Sequence, residues 1–190
     1  EKKLSRVLVF ARSRRNVESV RKSLEGKTRG VVKVLHANKG QNTRTNTLQE
    51  FKDGKVRVLV ATDIAARGID ISEVTHVFNF DVPIIYEEYV HRIGRTGRAF
   101  REGLAYTFCN PAEEYHVKKI EKIIRMKIPR LPIPDGVSVP GTPFAEKQDM
   151  EKAIDTQRRK EDPDFKGAFH DKKPLRNKYK IWQRAEKPSQ

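Results

Sequence analysis

A chain of 190 residues can hold one well-buried domain and an extension. With 36% hydrophobic and 34% charged residues it has a modest core, and no long apolar run, signal peptide or Arg-rich amphipathic leader points to a membrane. A formal net charge of +15 favours a polyanionic partner, most often nucleic acid, while the single cysteine, Cys109, excludes an internal disulfide framework and reads as a buried strand residue in a reducing, cytoplasmic setting.

Over residues 1–127 strand and helix signals alternate. Apolar, β-branched runs predict strands at 6–10, 31–36, 56–61, 75–80 and 104–109, and helical periodicity predicts helices at 14–25, 41–53, 86–93 and 111–127. Such alternation argues for an open parallel sheet with helices on both faces. The last of these helices is well marked: Asn110 can cap it, Pro111 suits its first position, and Glu113 and Glu114 fall in its first turn. Val117, Ile120, Ile123 and Ile124 would form its buried stripe. Residues 128–144 carry Pro129, Pro132, Pro134, Pro140 and Pro143 and read as a semi-extended linker. A polar helix is expected at about 145–160, with few apolar anchors, within a final segment 145–190 that ends in a basic tail. In that tail Tyr179 and Trp182 are interleaved with Lys and Arg, a pattern that suits single-stranded RNA and equally suits a solvated, flexible end.

Two segments carry the chemistry. His91-Arg92-Ile93-Gly94-Arg95-Thr96-Gly97-Arg98 places three guanidiniums at spacings of three, beside an imidazole, with glycines that permit a sharp turn or a close approach. Planar fork donors in such a cluster suit phosphate oxygens. Upstream, Ala61-Thr62-Asp63-Ile64-Ala65-Ala66-Arg67-Gly68-Ile69-Asp70 follows the strand candidate 56–61, and a polar loop at the carboxyl end of a parallel strand is where ligands dock in open α/β sheets.

Together these segments resemble motifs V and VI of the DEAD-box ATP-dependent RNA helicases, in the second of that family's two RecA-like domains. Val7-Leu8-Val9-Phe10-Ala11-Arg12-Ser13 is similar to motif IV and Gln41-Asn42-Thr43-Arg44 to motif IVa, so four ordered motifs span roughly residues 1–127. The Gly167-Ala168-Phe169-His170 turn and the basic tail resemble the bacterial RhlE-like branch. The resemblance implies a RecA-like helicase C-terminal domain that works with a P-loop lobe holding most of the ATP and its Mg²⁺. It implies that Arg95 and Arg98 act as arginine fingers and that His91 and Arg92 meet the partner lobe. Asp70 would bind the ATP ribose and Arg67 would couple the lobes. Ser13, Arg44, Thr62 and the Gly68 backbone would hold RNA phosphates without reading sequence, and Asp63 would bridge motifs V and VI. Plainer roles stay open: Ser13 as a helix cap, Arg44 paired with Glu50.

Other features bound this reading. Gly26-Lys27-Thr28 imitates the end of a P-loop, but Arg21 stands where its first glycine belongs, and there is no Asp-Glu-Ala-Asp; a chain starting at Glu1 is then expected to be part of a longer two-lobed enzyme, inactive alone. His36-Ala37 departs from the His-Gly of many family members. Competing readings are a related motor on DNA, which usually has Gln in place of His91, and a stand-alone basic RNA-binding module, which leaves Arg95 and Arg98 without a task. No resident metal site is expected, and the sequence is silent on oligomeric state.

Overall fold

Five short runs of β-branched and aromatic residues pair side by side, and the helices between them shield both faces of the resulting sheet. The structure, a computed structural model, describes residues 5–67, 69, 71, 74–97, 103–137, 141–162 and 164–167, with the side chains of 146 and 161 not described. The strands are β1 (Val7–Phe10), β2 (Val31–Leu35), β3 (Val56–Ala61), β4 (His76–Asn79) and β5 (Leu104–Thr107). All pairings are parallel, in the order β2-β3-β1-β4-β5. The helices are α1 (Arg14–Leu24), α2 (Gln41–Lys52), α3 (Asp63–Ala66), α4 (Tyr86–Ile93), α5 (Glu114–Ile124) and α6 (Phe144–Glu161). Every expected element is present within a few residues; the four-residue α3 was not expected, because it lies inside the polar segment read as a loop.

The period of two along β1 explains the layers. Leu8 and Phe10 join Leu35, Leu59 and Phe51 of α2 in one buried cluster, whereas Val7 and Val9 join Val17 and Val20 of α1 in the other. A third cluster packs Tyr86 and Tyr89 of α4 against Val117 and Ile120 of α5. Ile123, expected in that stripe, is 43% exposed. The order of the strands sends the chain from β1 toward one sheet edge and from β4 toward the other, so a crevice is expected at the carboxyl ends of β1 and β4.

That edge is tied by a polar hub. The Arg12 backbone N–H donates to Asp81 Oδ2 (2.8 Å), and Arg12 Nη2 donates to Glu113 Oε1 and to the Val82 carbonyl, each at 2.9 Å. Glu113 also completes a capping box with Asn110, as the sequence led one to expect, in a single 3₁₀ turn (Pro111–Glu113) that leads into α5. Burial pushes the Glu113 carboxyl up, against the pull of the Asn110 N–H and Arg12. His116 is fully buried beside Tyr86, whose hydroxyl lies 3.2 Å from Nδ1. Burial, aided by the Arg12 charge, pushes its imidazole down to about 4.

Two expectations change. Cys109 is exposed, not buried in a strand, because β5 ends at Thr107. The helix expected to reach 127 stops at Ile124, where Arg125 turns into the left-handed region (φ 55°). The chain then doubles back along α5: Glu121 accepts from the Ile128 N–H (3.0 Å) and Lys127 Nζ (2.8 Å), and Arg130 grips Glu114 with two arms at 2.8 Å. The chain forms two compact units, 1–143 and 144–190, so the Pro-rich segment belongs with the first. In the second unit the turn after α6 folds back on its own helix, with Arg158 over the Phe165 ring at 5.4 Å. The basic tail and the expected residues 168–170 lie outside the described residues. No helix of the described residues is long and apolar enough to cross a membrane.

The buried imidazole has a measurable consequence. Unfolded, His116 takes up a proton near pH 6.5; folded, it resists doing so until about 4, so the unfolded state binds more protons between these values and stability falls as pH drops through that window. Glu113, with its carboxyl raised, acts in the opposite sense, so the informative quantity is a difference between proteins. Thermal unfolding of His116→Gln is expected to show a shallower loss over that window than the wild type; parallel pH profiles would contradict a neutral buried His116.

Candidate functional site

The carboxyl edge of β1, β3 and β4 opens into a cleft of about 390 Å³ lined by Phe10, Asp63, Ala66, Arg67, Glu88, His91, Arg92 and Arg95. Each side chain arrives there for a local reason. Thr62 ends β3 in extended conformation, its carbonyl accepts from the Ala65 and Ala66 N–H groups, and the resulting single turn of α3 points Asp63 toward α4. On α4, Glu88 and Arg92 stand at i and i+4 and so share one stripe, Arg95 follows in the turn beyond the helix end at Ile93, and Tyr86, Tyr89 and Ile93 face the α5 side.

Arg92 is the most constrained residue of the site. It is 1% exposed, with Nε 2.6 Å from Asp63 Oδ1 and Nη2 2.7 Å from Asp63 Oδ2. Nη1 donates to the Asp81 carbonyl (2.8 Å) and Asn79 Oδ1 (3.2 Å), and the guanidinium lies 5.2 Å from the centre of the Phe10 ring. Asp63 therefore bridges the two motifs, as anticipated. Arg92, expected to meet a partner lobe, is turned into the fold, where Asp63 offers it two oxygens in matching fork geometry.

His91, Arg95 and Arg67 are not turned into the fold in this way. His91, one residue before the pinned arginine, is exposed. Arg95 is partly buried and donates Nη1 to the Ile69 carbonyl at 3.0 Å. Arg67 is exposed and pairs with Glu88, a carboxylate on α4 that is 7% exposed. The sequence reading missed Glu88; the available signal was an acid on the inward-facing side of an otherwise amphipathic helix. Asp70, Gly68 and Arg98 lie outside the described residues.

Of the residues expected to hold RNA phosphates, Ser13, Thr62 and Arg44 stand along the same edge but are not among the residues lining the cleft. Ser13 follows β1 and caps α1, its Oγ accepting from the Asn16 N–H at 3.1 Å. The Thr62 N–H donates to the Leu35 carbonyl (3.1 Å), which ties the end of β3 to the end of β2. Arg44 reaches from α2 toward the Ala65 carbonyl (3.4 Å); it does not pair with Glu50, which is taken by Lys33. α2 begins at Gly40 without a side-chain cap and without an acid in its first turn, leaving its amide donors for solvent or a ligand.

A parallel five-stranded sheet with a cationic cleft at its carboxyl edge defines a RecA-like lobe. The chain belongs to the helicase family: the model of the helicase conserved C-terminal domain matches residues 1–100. It is 46% identical over 128 residues to the ATP-dependent RNA helicase CshA of Listeria monocytogenes, covering 67% of this chain and 24% of that protein. Against the DEAD-box ATP-dependent RNA helicase CshA of Bacillus subtilis the identity is 47%, over 67% of this chain and 26% of the relative. The chain thus spans about a quarter of the length of these curated relatives. Among solved structures, the E. coli DEAD-box protein SrmB, bound to regulator of ribonuclease activity A, superposes with a TM-score of 0.65 at 35% identity, covering 75% of this chain and 85% of that one. A DEAD-box helicase domain 2 bound to an RNA duplex superposes with a TM-score of 0.61 at 27% identity, over 80% of this chain and 57% of that one.

The Asp63–Arg92 geometry makes a prediction about stability. Removing the carboxylate strands a buried guanidinium, and breaking such a pair costs about 3–5 kcal/mol. Urea unfolding of Asp63→Ala is expected to show a loss of that size, with Asp63→Ala/Arg92→Met recovering a large part of it. A double variant as unstable as the single one would mean that Arg92 is not held by this pair.

Proposed function

We propose that this lobe supplies arginines to ATP hydrolysis and part of an RNA-binding surface when a P-loop lobe closes on it, and that the two together unwind or remodel RNA. The observation that carries the reading is the cleft itself: two guanidiniums, Arg67 and Arg95, beside the His91 imidazole at the carboxyl edge of a parallel sheet, with one of the cleft's acids spent on Arg92. A cleft of that composition fits an anion such as the phosphates of a nucleotide. Bound ATP with Mg²⁺, held mainly by the other lobe, would supply the phosphoryl group to be transferred. Arg95, a guanidinium lining the cleft, is assigned to neutralising charge that grows on phosphate oxygens, with Arg98 in the same role, and Asp70 is assigned to the ribose. His91, exposed at the rim, and Arg67 are assigned to the contact with the partner lobe. Arg92 acts through the fold, by fixing the register of α4.

For RNA, Ser13, Arg44, Thr62 and the Gly68 backbone are assigned to phosphates. The first three stand along one edge, and the net charge of +15 agrees with a polyanion. Contacts to the backbone carry no sequence information, so binding is sequence-tolerant and weakens as salt rises. The solved relative bound to an RNA duplex supports an RNA substrate over DNA. We assign the activity to the cytoplasm.

The test is RNA-stimulated ATP hydrolysis by this chain joined to a P-loop lobe. Arg95→Ala is expected to lower the hydrolysis rate by about 10³–10⁵, the usual worth of an arginine finger, with RNA affinity kept. Arg44→Ala is expected to weaken RNA binding and flatten its salt dependence. Wild-type hydrolysis that ignores RNA would sink the helicase reading.

A further inference from the structure

The wall of the cleft holds a carboxylate that belongs to none of the four sequence motifs. Glu88 stands on α4 with its side chain 9% exposed, and Arg67, on the far side of the cleft in sequence, has its side chain 56% exposed. Their contact joins the end of α3 to α4. The asymmetry of burial decides which residue positions which. A carboxylate this far from water is costly unless a cation meets it, and its helix leaves it little freedom to move. An arginine at the surface has large rotamer freedom and gives up its orientation only to a fixed acceptor.

The two acids of the cleft treat their arginines differently. Asp63 takes two arms of Arg92 and draws it into the fold. Glu88 takes one arm, Nη2, of Arg67. Among the described residues no other side-chain hydrogen bond engages Arg67, so the remaining donors of its fork are left to whatever occupies the cleft it lines. Because Arg95 follows in the turn that closes α4, its N–H donating to the Arg92 carbonyl (3.2 Å), the contact also ties Arg67 to the helix from whose end Arg95 emerges.

Resting on the function proposed above, we propose that Glu88 is a positioning residue: it holds Arg67 by one arm so that the rest of the guanidinium is presented, already oriented, to an oxygen acceptor of the closing lobe. The acceptor gains a donor whose ordering cost has been met before closure. The contact acts on a step after nucleotide binding, so its loss appears in kcat and not in the KM for ATP.

The experiment uses the two-lobed protein, with RNA-stimulated hydrolysis measured for Glu88→Ala, Glu88→Gln, Arg67→Ala and the doubles. Glu88→Ala is expected to lower kcat by up to about 10²-fold, the scale of a misplaced positioning group, with KM for ATP little changed. Glu88→Gln, which keeps an acceptor oxygen, recovers part of the loss, and Glu88→Ala/Arg67→Ala is no worse than Arg67→Ala. Should Glu88→Ala fail to fold, the same non-additivity is required of Glu88→Gln with Arg67→Ala. Additive losses, unchanged kcat, or an effect confined to KM for ATP would each overturn the inference. Arg95→Ala in the same assay separates the two readings. Full hydrolysis there removes the function on which the inference rests, whereas an inactive Arg95→Ala beside additive Glu88 and Arg67 effects overturns the inference alone.

Discussion

The bond between Asp63 and Arg92 governs the geometry of everything around it. Arg92 brings a full positive charge to 1% exposure on the inner side of α4, a position tolerable only because Asp63 offers two oxygens at fork spacing. Asp63 can do so because α3 turns immediately after β3 and aims its first residue back across the sheet. Once Arg92 is pinned, helix geometry rotates His91 outward by one residue, and Arg95, in the turn after the helix ends at Ile93, reaches the cleft. A single buried ion pair thereby converts a string of like charges, which would otherwise repel itself, into one structural arginine and a set of outward-facing donors.

A second polar cluster adjoins the first through Asp81, whose carbonyl accepts from Arg92 and whose carboxylate accepts from the Arg12 N–H. Arg12 follows β1, Asp81 and Val82 follow β4, and Glu113 precedes α5; the hydrogen bonds among them join three separate stretches of chain at the same edge. Both clusters lie where the parallel strands run out of backbone partners, and both satisfy groups that would otherwise lie buried and unmatched. The carboxyl edge is therefore polar but rigid. A donor held on such an edge needs little reorganisation when an anion arrives, which is the condition under which fixed charges stabilise a developing one.

The fold was legible because its signals are periodic: short apolar runs, β-branched in β1, β2 and β3 and aromatic in β4 and β5, mark the strands, and alternation with helices implies the parallel sheet. Boundaries were less legible where local chemistry competes. Arg125 stops α5 early although Lys127 continues the helical pattern, because Glu121 is better satisfied by the returning chain at Lys127 and Ile128. Cys109 read as a strand residue because Phe108 before it prolongs the apolar run, yet β5 ends at Thr107 and the Asn110 cap begins the next element. In the site, Asp63, Arg67, His91 and Arg95 were visible as motif members. Motif reading says that a residue matters and not which way it faces. Arg92 and Arg95 look alike in sequence, and only the placement of Asp63 separates them. Glu88 belongs to no motif, and its partner is 21 residues away.

On the function proposed above, these features bear on how such a lobe is held ready for closure. Its acids and bases are already matched, Asp63 with Arg92 and Glu88 with Arg67, so the isolated edge carries no large unmet charge at those four positions. An incoming anion is therefore met by donors that remain after internal pairing. Such a site gives up some raw attraction in exchange for orientation, since each internal contact weakens the field but narrows the geometry. Where the useful contact forms only on closure, orientation is the better use of the same residues, because binding strength spent before the transition state does not accelerate it.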